Sequence, residues 1–181
     1  MKTQKFIKML TIAGLVVGLG APLAWAQESR TEQRGQLTAK DYKFLSQISQ
    51  GGTSEVELGQ LAKKNGGSQA VRDFGDRMVT DHTKMNSDIS QLAASKQVTL
   101  PGEVSHRDRS TAERLEKLTA IDFDKAYLTD MVKDHRKDVK EFEAAAKDLS
   151  DPDLRAFAQK ALPTIQQHLR LAEDMLAQIK K

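Results

Sequence analysis

The sequence has 181 residues, of which 28 are Lys or Arg, 25 are Asp or Glu, four are His and none is Cys. Its formal net charge of +3 comes from the amino end, because residues 1–26 contain three lysines and no acidic residue. The remaining 155 residues (181 less 26) carry 25 basic and 25 acidic groups, so no basic field attracts nucleic acid or anionic lipid. Without cysteine there is no disulfide, and the hydrophobic core alone must hold the fold.

The amino-terminal segment has the pattern of a secretory signal peptide. Three lysines precede the short apolar run 9–20, and the triplet Ala-Trp-Ala ends at Ala26. This pattern predicts cleavage after Ala26. An uncleaved anchor is the alternative, but this run is shorter than the ~20 residues of a spanning helix. We therefore expect a periplasmic protein with signal peptide 1–26, a flexible segment 27–37, a folded domain 38–181 and no membrane insertion after cleavage.

The rest of the sequence predicts an all-α fold, because apolar residues recur every three or four positions without strand-like alternation. The sequence divides into four long helices. Their limits are marked by capping residues, by a pair of glycines and by a proline suited to the first position of a helix. We expect these helices at about 39–64, 69–96 and 122–149, and from 152 onward.

The connection between the second and third long helices is unusually long. It covers 97–122, which is 26 residues, and contains a short helix predicted after the capping box that begins at Ser110. Adjacent antiparallel helices need only about 2–8 linking residues. A connection of this length can run along whole helices of ~40 Å. It predicts a ferritin-like four-helix bundle in which a long crossover makes the second and third helices parallel.

The two halves of the chain resemble each other at an offset of 83 residues. Asp41 matches Asp124, and Arg72 matches Arg155, among other pairs. A duplicated helical hairpin is one interpretation of these matches. Chance similarity between two amphipathic hairpins of equal length is the other.

Two near-identical heptapeptides, MVTDHTK and MVKDHRK, place His82 and His135 in the apolar stripes of the second and third long helices. His168 lies in the stripe of the fourth helix, and Glu55 lies in that of the first. Counted from the helix turns at 1.5 Å per residue, the histidines share a depth of ~23–25 Å and Glu55 lies at ~17 Å. Each helix therefore directs one residue that could bind a metal ion toward the middle of the bundle.

Three histidines and a carboxylate form a ligand set suited to a single transition-metal ion such as Cu, Zn or Fe. Asp138 follows His135 by three residues and matches Glu55 at the offset of 83. The predicted metal ligands are therefore Glu55, His82, His135, His168 and Asp138. A structural network of the same groups that binds no metal is the alternative, since buried polar groups are costly unless they are paired.

Neighbouring residues have simpler interpretations. Met78 and Met131, one turn before the histidines, either add soft sulfur that would favour copper or fill gaps in the core. Asp81 and Asp134 point ~100° away from the adjacent histidines. We expect them to hold a ring N–H on another helix or to make exposed ion pairs. His106, in the connection, is expected to be exposed.

Four segments carry a resemblance to a known family: SEVELGQLA, VRDFGDRMVTDHTK, FDKAYLTDMVKDHRK and LRAFAQKALPTIQQHL. From about Asp41 to Met175 the sequence resembles the exported bacterial proteins of domain of unknown function 4142, often labelled "predicted outer membrane protein". The resemblance implies a ferritin-like fold and no established activity. Di-iron ferritin-like proteins place Glu three residues before an inward His. This sequence does not, so oxygen chemistry is not implied.

The sequence leads to two hypotheses about function. The first is a periplasmic bundle that binds a transition-metal ion mid-bundle, in metal storage, buffering or envelope stress protection. The second is a metal-free structural or interaction module of the envelope. An enzyme fits least, because nucleophile motifs, phosphate-binding loops and paired Glu-x-x-His are absent. No protein partner is specified.

Overall fold

The computed structural model describes residues 35–179, and the all-α prediction is confirmed. Within that range the chain forms five helices: α1 Ala39–Asn65, α2 Gln69–Ser95, α3 His106–Glu116, α4 Ala120–Asp148 and α5 Pro152–Ile179. The starts of the four long helices and the ends of the first three lie within two residues of their predicted limits. The predicted signal peptide 1–26 and most of segment 27–37 lie outside the described residues.

The helix starts follow from their capping residues. The side-chain oxygens of Thr38, Ser68 and Asp151 each accept a hydrogen bond from the amide three residues later, which satisfies a donor that has no partner within the helix. The predicted start of the short helix is wrong. α3 begins at His106 because Ser105 caps it, so Ser110 lies inside the helix rather than at its end.

The connection between α2 and α4 runs along α1 from one end to the other. Near the start of α1, the Tyr42 hydroxyl donates to the carbonyl of Thr99 at 3.4 Å. At its end, the Asn65 amide donates to the carbonyl of Glu116 at 3.4 Å. This return path makes α2 and α4 parallel. The ferritin-like four-helix bundle with a long crossover is therefore confirmed.

Each hairpin turn is held by a buried aspartate from the other hairpin. The Asp124 carboxylate accepts hydrogen bonds from the amides of Gly67 and Ser68 at 2.8 and 2.9 Å, in the turn between α1 and α2. Asp41 accepts one from the amide of Ser150 at 2.9 Å, in the turn between α4 and α5. Both aspartates are only 1% exposed, so these bonds are shielded from water.

The matched arginines also have matched partners. Arg72 donates through Nη1 to two turn carbonyls at 2.7 and 3.0 Å. Arg155 does the same in the other turn, at 2.6 and 2.9 Å. Amphipathic periodicity alone does not require equivalent hydrogen bonds 83 positions apart. These contacts therefore support the duplicated hairpin over chance similarity.

The core consists of two apolar clusters with a polar layer between them. One lies toward the α4–α5 turn and includes Phe44 and Phe142, whose ring centroids are 5.5 Å apart. The other lies toward the α1–α2 turn and includes Phe74 and Tyr127, with centroids 6.1 Å apart. Four buried titratable residues occupy the level between the clusters: Glu55, His82, His135 and His168.

Candidate metal centre

Three histidines from three helices meet in the polar layer. His82 comes from α2, His135 from α4 and His168 from α5. Their ring centroids are 5.3 to 5.9 Å apart, and each ring offers one nitrogen within 4.8 Å of the other two. All three side chains are buried, with exposed fractions of 4% or less. The two heptapeptides therefore converge on one place.

Hydrogen bonds set the tautomers of two of these rings. His135 Nδ1 lies 3.0 Å from the carbonyl oxygen of Met131. Because a carbonyl only accepts, Nδ1 carries the hydrogen and Nε2 keeps its lone pair. His168 Nε2 lies 2.8 Å from Asp81 Oδ2, so its Nδ1 is left with the lone pair. Metal-binding histidines are oriented in this way, by a carbonyl or a carboxylate on the other ring nitrogen.

In each of the three rings, one buried nitrogen has no hydrogen-bond partner. His82 Nε2, His135 Nε2 and His168 Nδ1 are all buried, and none of them makes a hydrogen bond. A buried polar atom left in this state costs about 1–3 kcal/mol. The three rings therefore do not satisfy one another, and an ion among them would provide the missing interaction.

The surroundings keep the imidazoles neutral. Burial lowers the pKa of His82 well below its usual value, and the neighbouring rings of His135 and His168 add to the effect. Burial, with a contribution from His168, lowers the pKa of His135 to about 3. Burial also lowers the pKa of His168, although its hydrogen bond to Asp81 opposes the shift. A metal binds the neutral ring, so no deprotonation has to precede binding at neutral pH.

The structure places the two predicted carboxylate ligands beside the cluster. Glu55 is 6% exposed, and its Oε1 lies 3.9 Å from His135 Nδ1, which is too far for a hydrogen bond. Burial raises the pKa of Glu55, and the charge of Asp138 raises it further. Asp138 is half-buried and lines the same cavity as Glu55; burial raises its pKa to about 7. Neither belongs to the group of three converging nitrogens.

The two aspartates next to histidines have different partners. Asp81 reaches across from α2 to hold His168 on α5. Asp134 makes an ion pair with Arg107 at 3.1 Å instead. Asp81 thus holds a ring N–H on another helix, and Asp134 makes an ion pair, so each aspartate has one of the two expected roles. The difference arises because a different helix faces each aspartate.

The remaining sequence candidates are structural. Met78 and Met131 are fully buried in the apolar cluster toward the α1–α2 turn, which favours the gap-filling interpretation. His106 is exposed at the start of α3, as predicted. Sequence analysis missed Asn86, whose Oδ1 is buried without a partner. Its position four residues after His82, on the same face of α2, is the signal that could have found it.

Fold and site together define a class: a four-helix bundle with a long crossover and a buried cluster of three neutral histidines between two apolar cores. The chain belongs to the family described as "Domain of unknown function (DUF4142)", whose model matches residues 26–175. Among curated proteins no sequence matches it.

Two solved structures are similar in fold. The DUF305 fragment from Deinococcus radiodurans has a TM-score of 0.70 and 14% identity, over 78% of this chain and 98% of that one. A DUF305 protein from Streptomyces coelicolor, named as a secreted protein, has a TM-score of 0.67 and 15% identity, over 78% and 94%. At such identities the likeness concerns the fold alone. Among the helices of residues 35–179, none combines the length and hydropathy needed to cross a bilayer.

Proposed function

We propose that this protein is an exported bundle that binds one transition-metal ion between His82, His135 and His168. One observation carries the proposal: each of the three rings offers a nitrogen within 4.8 Å of the other two, and each has a buried nitrogen without a hydrogen-bond partner. The hydrogen bonds of His135 and His168 leave one ring nitrogen on each with a free lone pair, and a neutral imidazole nitrogen is a ligand for a cation. Imidazole nitrogen suits Zn, Cu and Fe, and a site for a single ion fits metal storage, buffering or protection of the envelope against metal stress.

The metal-free structural module remains the second candidate. The hydrogen bonds from His135 to Met131 and from His168 to Asp81 favour it, because they tie the rings to the bundle. A purely structural cluster would use such bonds to satisfy all its polar atoms. Here one nitrogen of each ring is left over, and we therefore place this candidate second.

Titration of chelator-treated protein with Zn²⁺ tests the proposed function. Wild type is expected to bind one ion per chain. Asp81→Ala should weaken binding by about 10–100-fold, because the ring of His168 loses the partner that orients it. Asp134→Ala is the matched control, since that aspartate also precedes a histidine but pairs with Arg107; its affinity should stay near wild type. Equal affinity for both variants would argue against a ligand role for His168.

Export is also a proposal. Its support is the signal-peptide pattern of residues 1–26. One structural neighbour is itself named as a secreted protein. Protein recovered from the envelope should begin at Gln27 and be released without detergent, as amino-terminal sequencing would show. Recovery only with membranes, with residues 1–26 still attached, would contradict cleavage.

A further inference from the structure

A cavity of about 200 Å³ lies beside the histidines and is lined by residues of all five helices. His82 and Glu55 form part of its buried wall. Its outer wall includes Arg107 and Lys137, which are exposed. The cavity therefore joins solvent to one of the three candidate ligands.

Three polar atoms in the buried wall of this cavity lack a hydrogen-bond partner. Glu55 Oε2, His82 Nε2 and Asn86 Oδ1 are all buried, and none has a hydrogen-bond partner. Gly52 faces Asn86 at a point where a Cβ would collide with its side chain, so the glycine makes room for this amide. A carboxylate oxygen, an amide oxygen and an imidazole nitrogen are all groups that bind cations.

The charged residues that line the cavity also favour a cation. Arg107 and Lys137 are the basic residues in its wall, and both already have carboxylate partners, Asp134 at 3.1 Å and Glu141 at 3.7 Å. Five carboxyl groups line the cavity in total: Glu55, Asp108, Asp134, Asp138 and Glu141. Burial raises the pKa of Glu55 and Asp138, and a nearby cation would favour the ionised form of both. An excess of one sign in a cleft raises the local concentration of the opposite ion.

The approach to the cluster past Asp81 is less favourable for a cation. On that side Asp81 lies between His168 and solvent, with 29% of its side chain exposed. Arg77 Nε lies 3.4 Å from Asp81 Oδ2. A cation arriving there would meet the positive charge of Arg77 next to Asp81, so we take the cavity as the better path.

The volume of the cavity suits an ion with its water. Water occupies ~30 Å³ in the liquid, so about 200 Å³ corresponds to roughly the first hydration shell of a divalent ion. A cation could therefore enter before it exchanges water for protein ligands.

We propose that a hydrated divalent cation reaches the three histidines through this cavity, and that the carboxylates of Glu55 and Asp138 hold the cation on the way. This inference rests on the proposed metal binding and deepens it. The two carboxylates occupy equivalent positions in the duplicated halves, at the offset of 83 residues. Their action is on the rate of uptake, whereas the histidines set the final affinity.

Stopped-flow mixing of chelator-treated full-length protein with Co²⁺ tests the access route, since the visible absorption of Co²⁺ reports its coordination. Glu55→Gln and Asp138→Asn should each slow uptake by about 10-fold, with stoichiometry and equilibrium affinity close to wild type. Asp130→Asn is the matched control, because Asp130 lies eight residues earlier on α4 and outside the cavity; its rate should not change.

Three outcomes would overturn the access route, and they are distinguishable. Wild-type rates in both cavity variants would show that the carboxylates do not guide the ion. Loss of bound Co²⁺ at equilibrium in either variant would make that carboxylate a ligand. A wild type that takes up no Co²⁺ at all would remove the proposed function together with this inference.

Discussion

Replacing His135 with Leu is expected to abolish metal uptake while the metal-free bundle stays at least as stable as wild type. His135 Nε2 is a buried lone pair without a partner, so an apolar side chain removes a ligand and also removes a desolvation cost of about 1–3 kcal/mol. The lost bond to Met131 matters little, because that carbonyl also accepts the helical amide bond four residues on. His82→Leu should behave in the same way.

Thermal melts with and without chelator separate this expectation from the structural alternative. An ion present at ~1,000 times its Kd adds about 4 kcal/mol to wild-type stability, and chelation should remove that amount from wild type but not from His135→Leu. His106→Leu is the matched control, because His106 is exposed and outside the cluster; it should keep the chelator response. A chelator-insensitive wild type that melts well above His135→Leu would favour the metal-free module.

Asp124→Ala is expected to lower the free energy of unfolding by about 2–4 kcal/mol. The carboxylate is 1% exposed and accepts from the amides of Gly67 and Ser68. Hydrogen bonds to a charged group contribute about 1.5–3 kcal/mol, and both donors would lose their partner. The change also releases α4 from the turn between α1 and α2. This contact joins the two hairpins at this end of the bundle.

Urea unfolding monitored by circular dichroism measures this effect. Asp122→Ala is the matched control, because Asp122 lies two residues earlier, in the first turn of α4, and is exposed; it should change stability by less than about 0.5 kcal/mol. Asp41→Ala, at the equivalent position, should also destabilise the bundle through the amide of Ser150. Equal stabilities for the Asp124 and Asp122 variants would show that the turn is held by other contacts.

Local patterns were enough to predict most of the fold. Capping by Thr38, Ser68 and Asp151 depends on residues three positions apart, so it can be read from the sequence alone. The 26-residue connection predicted the crossover because a chain of that length is unnecessary between adjacent helices. The short helix was misplaced because Ser105 and Ser110 both begin plausible capping boxes, and packing against α1 and α4 decides between them.

The sequence was enough to predict that the histidines meet, but not which groups hold them in place. His82, His135 and His168 could be brought together from helical spacing and depth, because both follow from the rise per residue. The partners of Asp81 and Asp134 could not, since their local contexts are nearly identical and only the opposing helix distinguishes them. The lower depth of Glu55, about one turn from the histidines, already indicated why it lies beside the cluster rather than within it.

Anomalous X-ray diffraction from crystals of the protein loaded with Zn²⁺ tests the central claim most directly. Data collected on both sides of the zinc absorption edge locate the ion without reference to the protein model. We expect one peak per chain, ~2.0–2.1 Å from His82 Nε2, His135 Nε2 and His168 Nδ1. A gap between these rings that holds no anomalous peak, with zinc found only at the surface, would contradict the metal centre.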